Sequence, residues 1–256
     1  MDRGVAAYQL IKASVVWLAA GTGKVEKGVH IMDGNNQAFL EPGYYIESSA
    51  PAVMSLAKHT VAGLTTKKDK AIALFDMVRD TIRYDPYSMS LNEEDYMATN
   101  ILERPGNWCV PKAILLTALA RAAGIPTAVG FADVRNHLNT KKLRSLMGSD
   151  LFIYHGYAAF WLDGKWVKAT PAFNMEMCNR FGVRPLVFDG VHETLFHEFN
   201  ANDDRHMEYV NDRGIFTDAP VKEIIVEMKR QYPNLVAALE NDPKSEKITD
   251  KLFQHN

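Results

Sequence analysis

The apolar residues in the first half of the chain recur at helical spacing. Between residues 71 and 82 they lie three or four positions apart, which predicts one face of a helix that starts at Thr65 or Thr66. A second run, residues 110–123, is apolar on all sides and predicts a buried helix that ends at Gly124. Helical spacing returns after residue 219, so a further helix is expected near the C-terminal end.

The second half of the chain carries strand patterns. Two apolar runs, 152–162 and 165–169, flank the dipeptide Asp163-Gly164, which is typical of a tight β-hairpin. The sequence predicts further short strands at residues 44–46, 127–134, 185–188 and 207–210. Because helices come first and antiparallel strands follow, the order of elements indicates an α+β domain.

The composition narrows the function classes. Of the 256 residues, 47% are hydrophobic and 23% are charged, as in ordinary globular proteins. The formal net charge of −2 provides no broad basic face, so neither nucleic acid nor a membrane surface is predicted as a partner. Two cysteines make no disulfide framework, which favours a reducing, cytoplasmic location. Lys12 interrupts the apolar stretch 5–20, and this argues against a signal peptide.

Cys109 opens the buried helix and is the candidate nucleophile. A thiol in the first turn of a helix lies near its positive end, which stabilises the thiolate. Such a thiolate needs a base, normally histidine, and the histidine needs a third group to orient it. His155 starts the predicted hairpin, and the return strand of that hairpin ends at Thr170. The other cysteine, Cys178, is interpreted as a passive thiol.

Three segments of this chain resemble the transglutaminase-like superfamily of papain-like cysteine enzymes. They are residues 79–85 before the active-site loop, the nucleophile helix at 106–127 and the histidine hairpin at 155–166. The resemblance runs from about residue 44 to residue 174. It implies an α+β, papain-like core in which the nucleophile helix packs on an antiparallel sheet. The helical pattern after residue 219 predicts a C-terminal helical extension of this core.

Three parts of the chain are expected, although the resemblance does not explain residues 1–43 or the part after about residue 180. Residues 1–43 are predicted to form an irregular leader, residues 44–200 the transglutaminase-like catalytic domain, and residues 201–256 an extension packed on that domain.

The resemblance also implies a reaction. Cys109 would attack a carbonyl carbon, His155 would carry the proton, and an acyl-thioester enzyme would form. The expected activity is therefore that of a thiol-dependent hydrolase or acyltransferase, acting on a peptide, protein or small amide substrate. The backbone N–H of Cys109 is the natural oxyanion donor, and Trp108 is either a second donor or a wall of the cleft.

The third member of the triad departs from the family. The family usually has an aspartate before a proline at the end of the return strand, whereas this chain has Thr170 before Pro171. Threonine can accept a hydrogen bond from the imidazole N–H but carries no charge. Asn174 and Asp189 are the alternative orienting residues.

Two other interpretations stay open. One is a non-catalytic binding module with the same fold, for which Thr170 is the main argument. The other is acyl transfer like that of arylamine N-acetyltransferases, which use a bound acyl donor. The proposed thiol chemistry needs no cofactor, so none is predicted, and the sequence contains no calcium-loop pattern. No metal site is predicted either, because His192 and His197 are five positions apart and do not share a helix face.

Overall fold

A computed structural model of the protein describes residues 36–136, 140–195 and 207–241. Most of the predicted leader therefore lies outside the described residues, as do the first residues of the predicted extension and the end of the chain. No helix within the described ranges is both long enough and apolar enough to cross a membrane.

The described residues form eight α-helices and six strands, and most of the helices precede the long strands or follow them. The helices are α1 (Pro51–Thr60), α2 (Lys67–Thr81), α3 (Ala98–Glu103), α4 (Cys109–Ala122), α5 (Lys141–Met147), α6 (Met175–Phe181), α7 (Val221–Gln231) and α8 (Pro233–Asn241). The strands are β1 (Arg83–Tyr84), β2 (Gly106–Asn107), β3 (Thr127–Asn136), β4 (Leu151–Leu162), β5 (Lys165–Ala169) and β6 (Met207–Phe216). Short 3-10 helices occur at Asn36–Phe39 and Glu93–Tyr96.

The predicted helix boundaries are confirmed where the sequence carries capping residues. The Thr66 hydroxyl accepts a hydrogen bond from the Asp69 N–H at 3.0 Å and begins α2. After the last turn of α4, Gly124 adopts a φ of +79°, the left-handed conformation in which glycine ends helices.

One antiparallel sheet forms the second layer of the domain. Its strands lie in the order β5-β4-β3-β6, and a separate parallel pair, β1 and β2, lies directly before α4. The predicted hairpin joins β4 to β5, and both turn residues, Asp163 and Gly164, have positive φ, as a type I′ turn requires. This mixture of helices and antiparallel sheet confirms the α+β class.

Helix α4 lies at the centre of the core. Thirteen of its residues, from Cys109 to Arg121, are buried, and it contacts β4 on one side and α1, α2 and α3 on others. This position explains why its sequence is apolar all round, since a helix enclosed by the protein has no solvent face.

Two predicted strands are wrong. Residues 185–188 form no strand, and residues 44–46 do not join the sheet. The backbone N–H groups of Tyr44, Tyr45 and Ile46 instead lie 2.7–3.3 Å from the Asp218 carboxylate. A carboxylate that accepts several successive N–H groups replaces the neighbouring strand that these groups would otherwise need.

The C-terminal part of the chain completes the sheet. Strand β6 is longer than the predicted 207–210 and pairs with β3 along its length. The division into leader, catalytic domain and extension stays a prediction, although β6 lies beyond its second boundary and is hydrogen-bonded to the sheet.

Candidate active site

Cys109 is the first residue of α4 and lies directly against β4. A Cβ atom added at Gly156 would stand 2.9 Å from the Cys109 carbonyl oxygen and 3.0 Å from both Ala113 Cβ and Val110 Cα. Only a glycine leaves room for so close an approach of helix and strand. The structure therefore brings the thiol-bearing turn into contact with the residue that follows His155.

The Cys109 thiol is protonated at neutral pH in this environment. The side chain is only 5% exposed, and burial raises its pKa to about 11. The backbone N–H groups of Gly156, Val110 and Cys109 itself act in the opposite direction, since they favour the thiolate. The N-terminal position of the thiol thus supplies donors for negative charge, but desolvation outweighs them.

His155 is buried next to this contact. It pairs with Ala132 across β3 and β4, and it is 6% exposed. Burial lowers the pKa of its imidazole to about 4. A hydrogen bond with the Leu195 backbone has a smaller effect and raises this pKa. Within the part of the chain that the structure describes, the ring nitrogen Nε2 has no hydrogen-bond partner. A buried nitrogen without a partner is rare and costly, and it marks the ring as a candidate functional group.

Thr170 is near this segment but is used differently from the prediction. Its hydroxyl donates to the Gly156 carbonyl oxygen at 3.2 Å, and its N–H donates to the Thr194 carbonyl oxygen at 2.8 Å. It therefore holds the backbone next to His155, while Nε2 of the ring has no bond to it.

Neither alternative orienting residue is hydrogen-bonded to His155. The Asn174 amide oxygen accepts the Tyr84 N–H at 3.4 Å. Asp189 lies in an exposed turn, where it accepts the N–H groups of Val191 and His192 at 2.8 Å and contacts the His192 Nδ1 at 2.7 Å. These bonds hold the pKa of Asp189 well below its usual value.

Trp108 packs as a wall beside the thiol. It is buried, and its ring meets Tyr96 edge-to-face with centroids 6.3 Å apart. Burial raises the pKa of Tyr84, Tyr96 and Tyr232, and the charge of a Cys109 thiolate adds a smaller increase to each. They come from β1, a 3-10 helix and the junction of α7 and α8, so no local sequence pattern signals that they share one site.

A buried lysine fixes α4 behind the thiol. Lys112 Nζ donates to the Arg79 carbonyl oxygen at 3.0 Å and to the Ile82 carbonyl oxygen. These bonds tie the Cys109 helix to the segment that leads into Tyr84. Burial lowers the pKa of this lysine to about 7.

The described residues offer no cluster of three or more His, Cys, Asp or Glu side chains that could hold a metal ion. His192 lies in the exposed turn with Asp189, and His197 lies outside the described ranges.

Residues 54–171 match the family model of the transglutaminase-like superfamily. The chain carries a domain of the transglutaminase-like superfamily. The matched segment contains Cys109, His155 and Thr170, and it includes helices α2 to α5, of which α4 is the nucleophile helix, and the histidine hairpin of β4 and β5. The three segments that carried the sequence resemblance thus lie within one matched domain.

Two solved structures are similar to this chain. One is a "Putative Cysteine Protease" from Cytophaga hutchinsonii, with 18% identity, a TM-score of 0.43, and coverage of 75% of this chain and 55% of that one. The other is a "putative protease" from Parabacteroides distasonis, with 15% identity, a TM-score of 0.36, and coverage of 54% and 30%. This chain therefore spans about half of the first structure and under a third of the second. No curated protein matches the chain.

Proposed function

We propose that the protein is a thiol-dependent hydrolase or acyltransferase that acts on peptide or other amide bonds. One observation carries the proposal: the Cys109 thiol, at the N-terminus of α4, touches the strand residue next to His155, whose buried Nε2 has no partner among the described residues. A nucleophile on a helix and a base on the adjacent strand provide the two groups that acyl transfer needs.

In the proposed reaction the Cys109 sulfur forms a bond to the carbonyl carbon while its proton passes to His155. The negative charge moves to the carbonyl oxygen, which the backbone N–H of Cys109 can stabilise. When the intermediate collapses, the C–N bond breaks and the amine leaves with the proton from His155. Water or a second amine then attacks the thioester, and the thiol is regenerated.

Binding of a substrate is the step that activates this site. The thiol and the imidazole are both uncharged in the closed site, with pKa values of about 11 and about 4 caused by burial. A polar amide, or water that enters with it, reverses part of that desolvation and provides a partner for Nε2. The proposed enzyme is therefore nearly inert when empty.

A binding module without turnover is the second candidate. It is favoured by the Thr170 hydroxyl, which is engaged by the Gly156 carbonyl oxygen and brings no negative charge to the imidazole. In that case the same cleft would bind a peptide or amide and release it unchanged. Transfer from a bound acyl donor, and a cytoplasmic location, stay predictions.

Capture of an acyl-enzyme tests the proposal. The purified chain is incubated with a library of peptides, activated esters and small amides, and its intact mass is followed. We expect a mass increase located on Cys109 that is lost in Cys109→Ala and strongly reduced in His155→Ala. Cys178→Ala is the matched control, since it removes the other buried thiol and should leave the adduct unchanged. Binding of library members without any adduct on Cys109 would favour the binding module.

A further inference from the structure

The sheet is irregular at the level of His155. Between the pairs Ala132–His155 and Val134–Phe152, the two residues Ile153 and Tyr154 of β4 face a single residue of β3, Asp133. This is a β-bulge, and Tyr154 within it has a φ of +56°, which tyrosine rarely adopts. The bulge directly precedes His155, so its conformation sets the direction in which the imidazole leaves the strand.

Side chains from other strands and helices hold the bulge in place. The Asp133 carboxylate accepts the Tyr154 N–H at 3.1 Å. The Tyr232 hydroxyl accepts the Ile153 N–H and donates to the Leu151 carbonyl oxygen, both at 2.8 Å. The N–H groups of both bulged residues are thus satisfied by side chains.

Arg213 holds Asp133 in this position. It is itself an extra residue of β6, between the partners of Phe131 and Ala132, and its Nε donates to Asp133. Its guanidinium also lies 4.1 Å from the centroid of the Tyr154 ring. Asp133 is only 7% exposed, so this ion pair is largely shielded from solvent.

We propose that Asp133 is a positioning residue for His155, acting through the Tyr154 backbone, with Arg213 as its counterion. A test of this role by turnover rests on the proposed function. A test by the position of the imidazole does not. The Asn211 side-chain amide also donates to the Asp133 carboxylate, at 3.4 Å, so groups from β4 and β6 fix the carboxylate at the bulge.

The test combines kinetics with the NMR signal of the imidazole. Histidine labelled with 13C at Cε1 is incorporated into the full chain, and the His155 resonance is assigned with His155→Gln. Asp133→Ala removes the acceptor, and Asp133→Asn keeps an oxygen for the Tyr154 N–H. Asp150→Asn is the matched control, because Asp150 forms a half-exposed ion pair with Arg135, at 3.4 Å, elsewhere on the sheet.

We expect Asp133→Ala to move the His155 resonance and to lower kcat by about 100-fold with KM within about 2-fold, as misplacement of a reacting group by about 1 Å does. Asp133→Asn should restore both, and Asp150→Asn should change neither. If Asp133→Ala does not fold, Arg213→Lys carries the test, since it keeps the charge but loses the Nε donor.

An unmoved His155 resonance in a folded Asp133→Ala or Arg213→Lys protein would overturn the proposal. If the wild-type protein has no turnover with any substrate but the resonance still moves, the positioning role stands and the proposed function fails. A purely structural role would lower the unfolding midpoint of Asp133→Ala and leave the resonance unchanged.

Discussion

Gly156 is the contact between β4 and the first turn of α4, and its replacement by alanine measures how closely the site is packed. The added methyl group would stand 2.9 Å from the Cys109 carbonyl oxygen and 3.0 Å from Ala113 Cβ and Val110 Cα. Ordinary contacts start at 3.4 Å, so helix and strand have to separate by about 0.5 Å. None of these neighbours is the end of a flexible side chain, and the backbone itself has to move.

The magnitude follows from this displacement. Adding a methyl group to a filled core costs about 2 kcal/mol of unfolding free energy, which lowers the thermal midpoint of a domain of this size by about 5 °C. The expected effect on the reaction rate is proportionally larger than the effect on stability. A shift of about 0.5 Å between thiol and imidazole is half of the 1 Å that costs about 100-fold in rate, so we expect a loss of about tenfold in kcat.

Thermal unfolding and turnover are measured together on Gly156→Ala and on Gly148→Ala. Gly148 has a φ of +65° with open space around its Cβ position, so alanine there destabilises through backbone strain alone. We expect both variants to lose stability and only Gly156→Ala to lose rate. A Gly156→Ala protein with wild-type midpoint and rate would refute the close contact of β4 with the Cys109 turn.

Three further predictions concern titration. Because the pKa of Cys109 is about 11, iodoacetamide should modify it at pH 8 about 100-fold more slowly in the native Cys178→Ala protein than in urea; a rate plateau near neutral pH would contradict this. The pKa of Lys112 falls from 10.5 when unfolded to about 7, so its charged form destabilises the fold as pH falls through this window. Urea unfolding should give about 1.5 kcal/mol more stability at pH 8.5 than at pH 7, and Lys112→Met should remove that difference. Thr170→Asp should raise the pKa of His155 from about 4, as an NMR titration would show, because a nearby carboxylate favours the imidazolium; an unchanged value would mean that position 170 does not reach the ring.

The elements that the sequence predicts well are those whose determinants are local. The turn at Asp163-Gly164 needs only its own two residues to adopt positive φ. Helix α4 is apolar over four turns, which is enough to predict that it is buried. The candidate nucleophile follows from the same local pattern, because Cys109 is the residue at which that apolar run begins.

The features that the sequence does not reveal depend on partners far along the chain. Residues 44–46 have strand composition, but the Asp218 carboxylate, more than 170 positions away, takes their N–H groups. Lys112 interrupts an apolar helix, and only the fold shows that the carbonyl oxygens of residues 79 and 82 receive its ammonium group. The bulge before His155 depends on side chains from three separate elements, none of which has a recognisable spacing from it.

An acidic residue can help a catalytic histidine in two ways, and among the described residues we find only one of them. A free carboxylate near the ring raises the pKa of the imidazole and stabilises its charged form. Asp133 is neutralised by Arg213 and bonds to the backbone, and Thr170 bonds to the Gly156 carbonyl oxygen, so both act on position alone. His155 consequently keeps a pKa of about 4 in the empty site, so it is a weak base there and forms no standing ion pair with the thiol. In a profile of kcat/KM against pH, the fall in rate on the acidic side should therefore be centred nearer pH 4 than pH 6.5, the value of an ordinary histidine.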